Sequence, residues 1–467
     1  ATDTWVSLGA DPNTPAARYR HTAVWTGAEM IVWGGETSAG LTGTGSRYNP
    51  STGTWSQTSA GTIPTQPRID HTAVWTGAEM IVWGGSNLNS GARYDPLTDS
   101  WTPTNVLLAP GPRVRHSSVW TGVEMLVWGG GEPVFFAPRN SGGSYQAATA
   151  SWEYLPGLGV EARSDHSAVW TGAEMIIWGG RDGGAVLNSG GRYNPAGNTW
   201  TPTNSATGVP APREGHTTVW TGTKMILWGG RDSGTSLLND GGRYDPSTDS
   251  WTPVNLVGAP SARWNHTVVW TGNEMIVWGG MGNSASVNTG GRYSPSADAW
   301  VSTGTGPGTP DPRSGHSAVW TGNEMIVWGG IGGSQFFDSG ARYAPVSDTW
   351  LATSPAPIEA RAGHQAVWTG HEMILFGGHL PDQSLAVSHA RYNPSTDSWR
   401  PISNTSPVTL PRSGHTALWT GEEMIVYGGA AGESGARYCR LCPTLYTYFA
   451  DQDGDLHGDM TRQGDSC

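Results

Sequence analysis

Apolar residues along this chain come in bursts of four or five, each closed by Gly, Thr or Asp. The run HTAVWTGAEMIVWGG occupies 21–35 and returns letter for letter at 71–85. Its two apolar halves are rich in β-branched and aromatic residues, and the Thr-Gly-x-Glu between them predicts a tight hairpin. Both faces of these strands carry apolar side chains, which predicts central strands covered on both sides. A third strand follows on GARYDP, with Arg93 and Tyr94, and a fourth on a Trp after a DPxTDxW turn, as at Trp101, Trp251 and Trp399.

Edited copies of this unit recur about every fifty residues. Their alignment point is His21, His71, His116, His166, His216, His266, His316, His364 and His415, with an Arg three residues before each, from Arg18 to Arg412. A four-stranded unit at this period, with a diglycine closing strand two, reads as a propeller blade. The segment around Trp5 is a fourth strand with no blade before it, and the ninth unit stops at Tyr438 without one. The amino-terminal strand is therefore expected to complete the last blade and remove two open edges. The expectation is an all-β, nine-bladed propeller over residues 1–440 and a separate tail at 441–467, read as the start of a longer segment.

Arg213, His216, Gly229–Gly230, Tyr244 and Trp251 show the pattern that resembles the kelch repeat, and the likeness runs from residue 1 to about 440. The resemblance implies a kelch-type β-propeller, although such propellers usually have fewer blades. Kelch proteins range from oxidases to sugar epimerases to protein-binding hubs, so the fold alone does not decide the activity.

Composition narrows the classes. The chain has 68 Gly and 32 Pro, as short strands and turns require, and 26 Trp to supply a core. No apolar run approaches the ~20 residues needed to span a bilayer as a helix. Net charge is −12 and Lys224 is the only lysine, which argues against nucleic acid as partner. The first residue is Ala, which is read as a mature chain with its leader removed. Cys439, Cys442 and Cys467 all fall near the end; they read as disulfide candidates in a secreted or cell-surface protein. Cys439 and Cys442 lack the second pair that a zinc knuckle needs, and three cysteines leave one unpaired.

A residue present in every blade serves a need every blade has. The repeated Arg and His are accordingly read as structural, and the repeated Trp and Met as inter-blade packing. Phe135–Phe136, Leu237–Leu238 and Phe336–Phe337 are read as starts of strand three. Function is expected where copies differ: the loops between strands two and three, the segments joining blades, and the two positions between each Arg and His. Those positions read Tyr19–Arg20, Ile69–Asp70, Val114–Arg115, Ser164–Asp165, Glu214–Gly215 and Trp264–Asn265, then Ser-Gly or Ala-Gly. The binding-face candidates are Arg20, Asp70, Arg115, Asp165, Glu214, Trp264 and Asn265. Arg181–Asp182 and Arg231–Asp232 occupy matching loop positions and read as local ion pairs.

In the tail, DQDGDLHGD spaces Asp451, Asp453 and Asp455 two apart, with Asp459 ninth and the carbonyl of His457 seventh. Such hard oxygen donors suit Ca²⁺, although Arg462 stands where an EF-hand has Glu, and Asp465 is the substitute. The segment resembles the calcium repeats of thrombospondin type 3. The expected function is a non-enzymatic, secreted or cell-surface binding and assembly module with a Ca²⁺-stabilised tail. Its partner is expected to be a protein or glycan in an extracellular setting. The alternative is an epimerase-like carbohydrate enzyme using Arg20, Arg115, Glu214 and Asp165. A copper-radical oxidase would need a Cys bonded to a Tyr, and residues 1–438 contain no Cys.

Overall fold

The computed structural model describes residues 12–402, apart from 17, 60–65, 133–136, 156–159, 235 and 387. It also describes four flanking strands, Trp5–Ser7, Thr416–Trp419, Glu423–Tyr427 and Ala436–Cys439. The first blade shows the plan: Thr22–Trp25, Met30–Trp33, Gly45–Asn49 and Thr54–Gln57 pair in sequence order, all antiparallel. Seven further four-stranded sheets repeat that order, ending with Gln365–Trp368, Met373–Phe376, His389–Asn393 and Ser398–Ile402. The sequence predicts nine blades; the structure shows eight, each with its four strands described. The last set is described as paired strands without its connections: Thr416–Trp419, Glu423–Tyr427 and Ala436–Cys439, joined by Trp5–Ser7 in the register Trp5↔Tyr438.

Alternation along strand two binds the blades together. Met80 and Val82 pack against Val24, Ile31 and Trp33 of the blade before, while Ile81 and Trp83 pack against Met125, Val127 and Trp152 of the blade after. Every residue of Met80–Trp83 is buried, because this strand has a neighbouring blade on each face. The strand-four Trp belongs to the same interface: Trp101 lies 5.4 Å from Trp33 and 4.9 Å from Tyr94, both tilted. Such aromatic pairs add about 0.5–1.5 kcal/mol each beyond their burial.

The repeated Arg and His hold the hairpins in place. Arg213 is fully buried and donates to the carbonyls of Gly229 (3.1 Å) and Asp240 (2.9 Å), tying the diglycine to the start of strand three. His266 Nε2 lies 2.8 Å from Thr217 Oγ1 of the preceding blade and meets Trp228 edge-on at 5.3 Å. Its ring sits on Gly229 at φ +71, where a Cβ would lie 2.9 Å from His266 Cε1, so the diglycine is the seat of the next blade's imidazole. Burial pushes His71, His116, His166, His216, His266 and His316 down to about 3, keeping them neutral.

The expected starts of strand three change: Phe135–Phe136 lie outside the described residues, and Leu237 bridges Arg231 in the loop before Gly241–Asp245. Phe336 does not start strand three; it pairs with Ile331 in a two-stranded ribbon, Ile331–Gly332 with Gln335–Phe336, inside the loop. Phe337 follows it, buried beneath the Arg313 guanidinium at 4.2 Å. The apolar pair thus anchors the loop to the blade root. No helix of the described residues is long and apolar enough to cross a membrane.

Candidate binding site

The two positions between each Arg and His sit where strand one begins, and the backbone treats them differently. The first bridges to the residue after the diglycine, as in Ser164↔Arg181, Glu214↔Arg231 and Trp264↔Met281. The second adopts a left-handed conformation wherever it is described: Arg20 (φ 57), Asp70 (55), Arg115 (55), Asp165 (54), Gly215 (63), Asn265 (54), Gly315 (62) and Gly363 (64). Gly, Asn and Asp suit that region, whereas Arg is costly there. Glycine on one arc is thus the unstrained solution, and Arg20 and Arg115 depart from it.

The side chains at these positions pair around the ring. Arg20 forms a bidentate ion pair with Asp70 of the next blade, its Nε 2.8 Å from Oδ1. Arg115 makes a looser, single contact with Asp165 of the next blade, its Nη1 3.7 Å from Oδ2. Glu214 is buried to 8 % exposure between two guanidiniums, Arg181 at 3.1 Å and Arg231 at 3.1 Å. Arg231 in turn lies over the Trp264 ring at 4.8 Å. Asn265, beside it, is exposed. The result is a continuous run, Arg181–Glu214–Arg231–Trp264, crossing three blades. Next to it a cleft of about 380 Å³ is lined by Arg115, Asp165, Arg181 and Asp182.

The expected local pairs Arg181–Asp182 and Arg231–Asp232 do not form. Both arginines turn to Glu214, while the aspartates close their own loops, Asp182 Oδ1 accepting from Ala185 N and Asp232 Oδ1 from Ser236 N, each at 2.8 Å. The Ala185 and Gly184 amides hold the Asp182 carboxyl below its usual range. The sequence carried a signal for this: Glu214 is the one acidic residue at its position, with an Arg after the diglycine of its own and the preceding blade.

Arg20, Arg115, Asp165 and Glu214, the set an epimerase-like site would use, are thus engaged in pairs spread over five blades. His71, His116, His166, His216, His266 and His316 are held neutral by burial, so none of these six faces the site as an acid. Among the described residues no three His, Cys, Asp or Glu come together to hold a metal. Asp451, Asp453, Asp455, His457 and Asp459 lie outside the described residues, as do Cys442, Cys467 and the side chain of Cys439.

Packed four-stranded sheets carrying variable loops over a ring of hairpin roots define a β-propeller. The chain belongs to the kelch family: it matches the KLHDC2/KLHL20/DRC7 Kelch-repeats domain over residues 89–258, 165–362 and 215–429, which together span more than half its length. No curated protein matches it.

Proposed function

We propose that this protein is a non-enzymatic kelch propeller that captures a protein partner on the face bearing Arg115, Asp165, Arg181, Glu214, Arg231 and Trp264. The observation that carries the reading is Arg231, which ion-pairs Glu214 while stacking on Trp264. Arg and Trp are the side chains most enriched among interface hot spots, and here they are already oriented before any partner arrives. The strained backbone at Arg20 and Arg115 supports the same reading, since glycine would serve the fold alone.

The register Trp5↔Tyr438 supports a ring of nine blades closed by the amino-terminal strand. The spacing of Asp451, Asp453, Asp455, His457 and Asp459 supports a Ca²⁺-holding tail, and the terminal cysteines support a secreted or cell-surface setting. The test is capture: cross-linking of native extract to the full chain, read by mass spectrometry, against the variant R115A/R231A/W264A. The variant should lose its specific partners while melting within a few degrees of the parent. Retention of the same partners would remove this face from the proposal.

A further inference from the structure

The opposite face, built from the strand 1–2 hairpins and the strand 3–4 turns, carries a second asymmetry. Each hairpin tip reads Thr-Gly-x-Glu with small changes, and the variable residue is exposed in every described blade. It is Ala28, Ala78, Val123 and Ala173 in the first four blades, then Thr223, Asn273, Asn323 and His371 in the next four. Apolar tips fill one arc and hydrogen-bonding tips the other.

Two clefts open on the polar arc. One, of about 740 Å³, lies among Thr223, Trp270, Asn273, Glu274 and Trp320. The other, of about 720 Å³, lies among Glu324, Arg342, Trp368, His371 and Asn393. Asn323 lines both. Their tryptophans differ from those of the core. Trp270, Trp320 and Trp368 are half-buried and their indole N–H groups take no protein acceptor and stay open, whereas those of Trp278 and Trp328 are buried. The acceptors are open as well: Glu274 and Glu324 hold their arginines only loosely through Oε2, at 3.5 and 3.6 Å, leaving each Oε1 without a protein partner.

We infer that these clefts are subsites for a neutral carbohydrate chain, successive sugars of which occupy neighbouring blades. A half-buried indole leaves part of its ring and its N–H to the cleft, and planar Asn and Glu groups offer paired donors and acceptors. A pyranose needs the same combination, with C–H groups on its faces and hydroxyls around its rim. The volumes fall within the usual range for small-ligand sites. Loosely held carboxylates disfavour an anionic ligand by like-charge repulsion. A side chain common to both clefts lets one polymer engage both, so that the second contact forms at high effective concentration. This site is independent of the partner-binding face.

Affinity electrophoresis of the full chain in gels containing dextran, mannan, xylan or arabinogalactan tests the inference. Retardation is expected in at least one gel. N323A recreates the Thr-Gly-Ala-Glu already present in three blades, so its fold is safeguarded. It should weaken that retardation about tenfold, the effect of losing about one net hydrogen bond at each subsite. R115A/R231A/W264A should migrate as the parent does. Unchanged mobility in all four gels, retardation that N323A leaves intact, or retardation lost only in the opposite-face variant would overturn the inference.

Discussion

At the scale of single residues, the left-handed position before each His separates the needs of the fold from those of the surface. Gly215, Gly315 and Gly363 adopt it freely, and Arg115 adopts it at a cost of about 1–3 kcal/mol. Its ion pair with Asp165 spans 3.7 Å between exposed groups and returns less than about 1 kcal/mol. Arg115→Gly is therefore expected to leave stability unchanged or raise it by up to about 2 kcal/mol, glycine's greater unfolded-state freedom offsetting part of the relief, read from the urea midpoint. A loss beyond 1 kcal/mol would make Arg115 a structural residue. The alternation of Gly, Asn, Asp and Arg was visible in the sequence, but its cause was not, because a backbone dihedral leaves no mark on hydrophobic periodicity. Likewise Arg181 and Asp182 looked like partners by adjacency, and Glu214 claimed the arginine only once two neighbouring blades met.

At the scale of elements, strand two and the first residue of strand three are fitted to each other. In most blades a Trp closes strand two and a Gly opens strand three; at Gly340 a Cβ would lie 2.6 Å from Trp328 Cδ1. The eighth blade exchanges both, with Phe376 and His389 stacked at 4.0 Å. Trp328→Phe alone is expected to cost about 1–2 kcal/mol by leaving a cavity. Gly340→His is expected to cost less in that background than in the parent, because the Trp328 contact is gone while the crowding by the Val327 carbonyl remains, giving a favourable coupling in a double-mutant cycle. Additive losses would mean that the eighth blade's pair is coincidental. Strand identity, hairpin register and the strand-four Trp were all legible from period-two patterning and turn residues. The Phe336 ribbon was not, since a short apolar pair before a strand reads as that strand's beginning.

For the whole molecule, six buried histidines tie stability to pH. His116 is typical: Nε2 lies 2.9 Å from Thr72 Oγ1, while Nδ1 is buried with no acceptor for a second proton. Burial, with Arg113 nearby, holds it at about 3, against about 6.5 in an unfolded chain. Between these values the unfolded chain binds protons that the folded one refuses, so stability falls as pH drops from 6.5 toward 3. Each such histidine contributes a slope of about 1.4 kcal/mol per pH unit in that window. Denaturant titrations at several pH values should show a steep positive slope, reduced by about one proton in His266→Gln. A flat profile above pH 4 would contradict the neutral, buried assignment.

The near-identity of the blades also bears on how the chain reaches its fold. Met80 and Val82 are matched to the Ile31 and Trp33 of the blade before, yet the Met and Val of Met30–Trp33 and Met275–Trp278 present the same surface. During synthesis a nascent hairpin meets several docking partners of almost equal quality. Contact energy therefore selects poorly among them. The short linkers do the selecting, because joining adjacent repeats closes the smallest loop and is reached first. Copies on separate chains offer the same surfaces without that kinetic preference, so crowding of unfinished chains favours exchange of hairpins between molecules over correct closure.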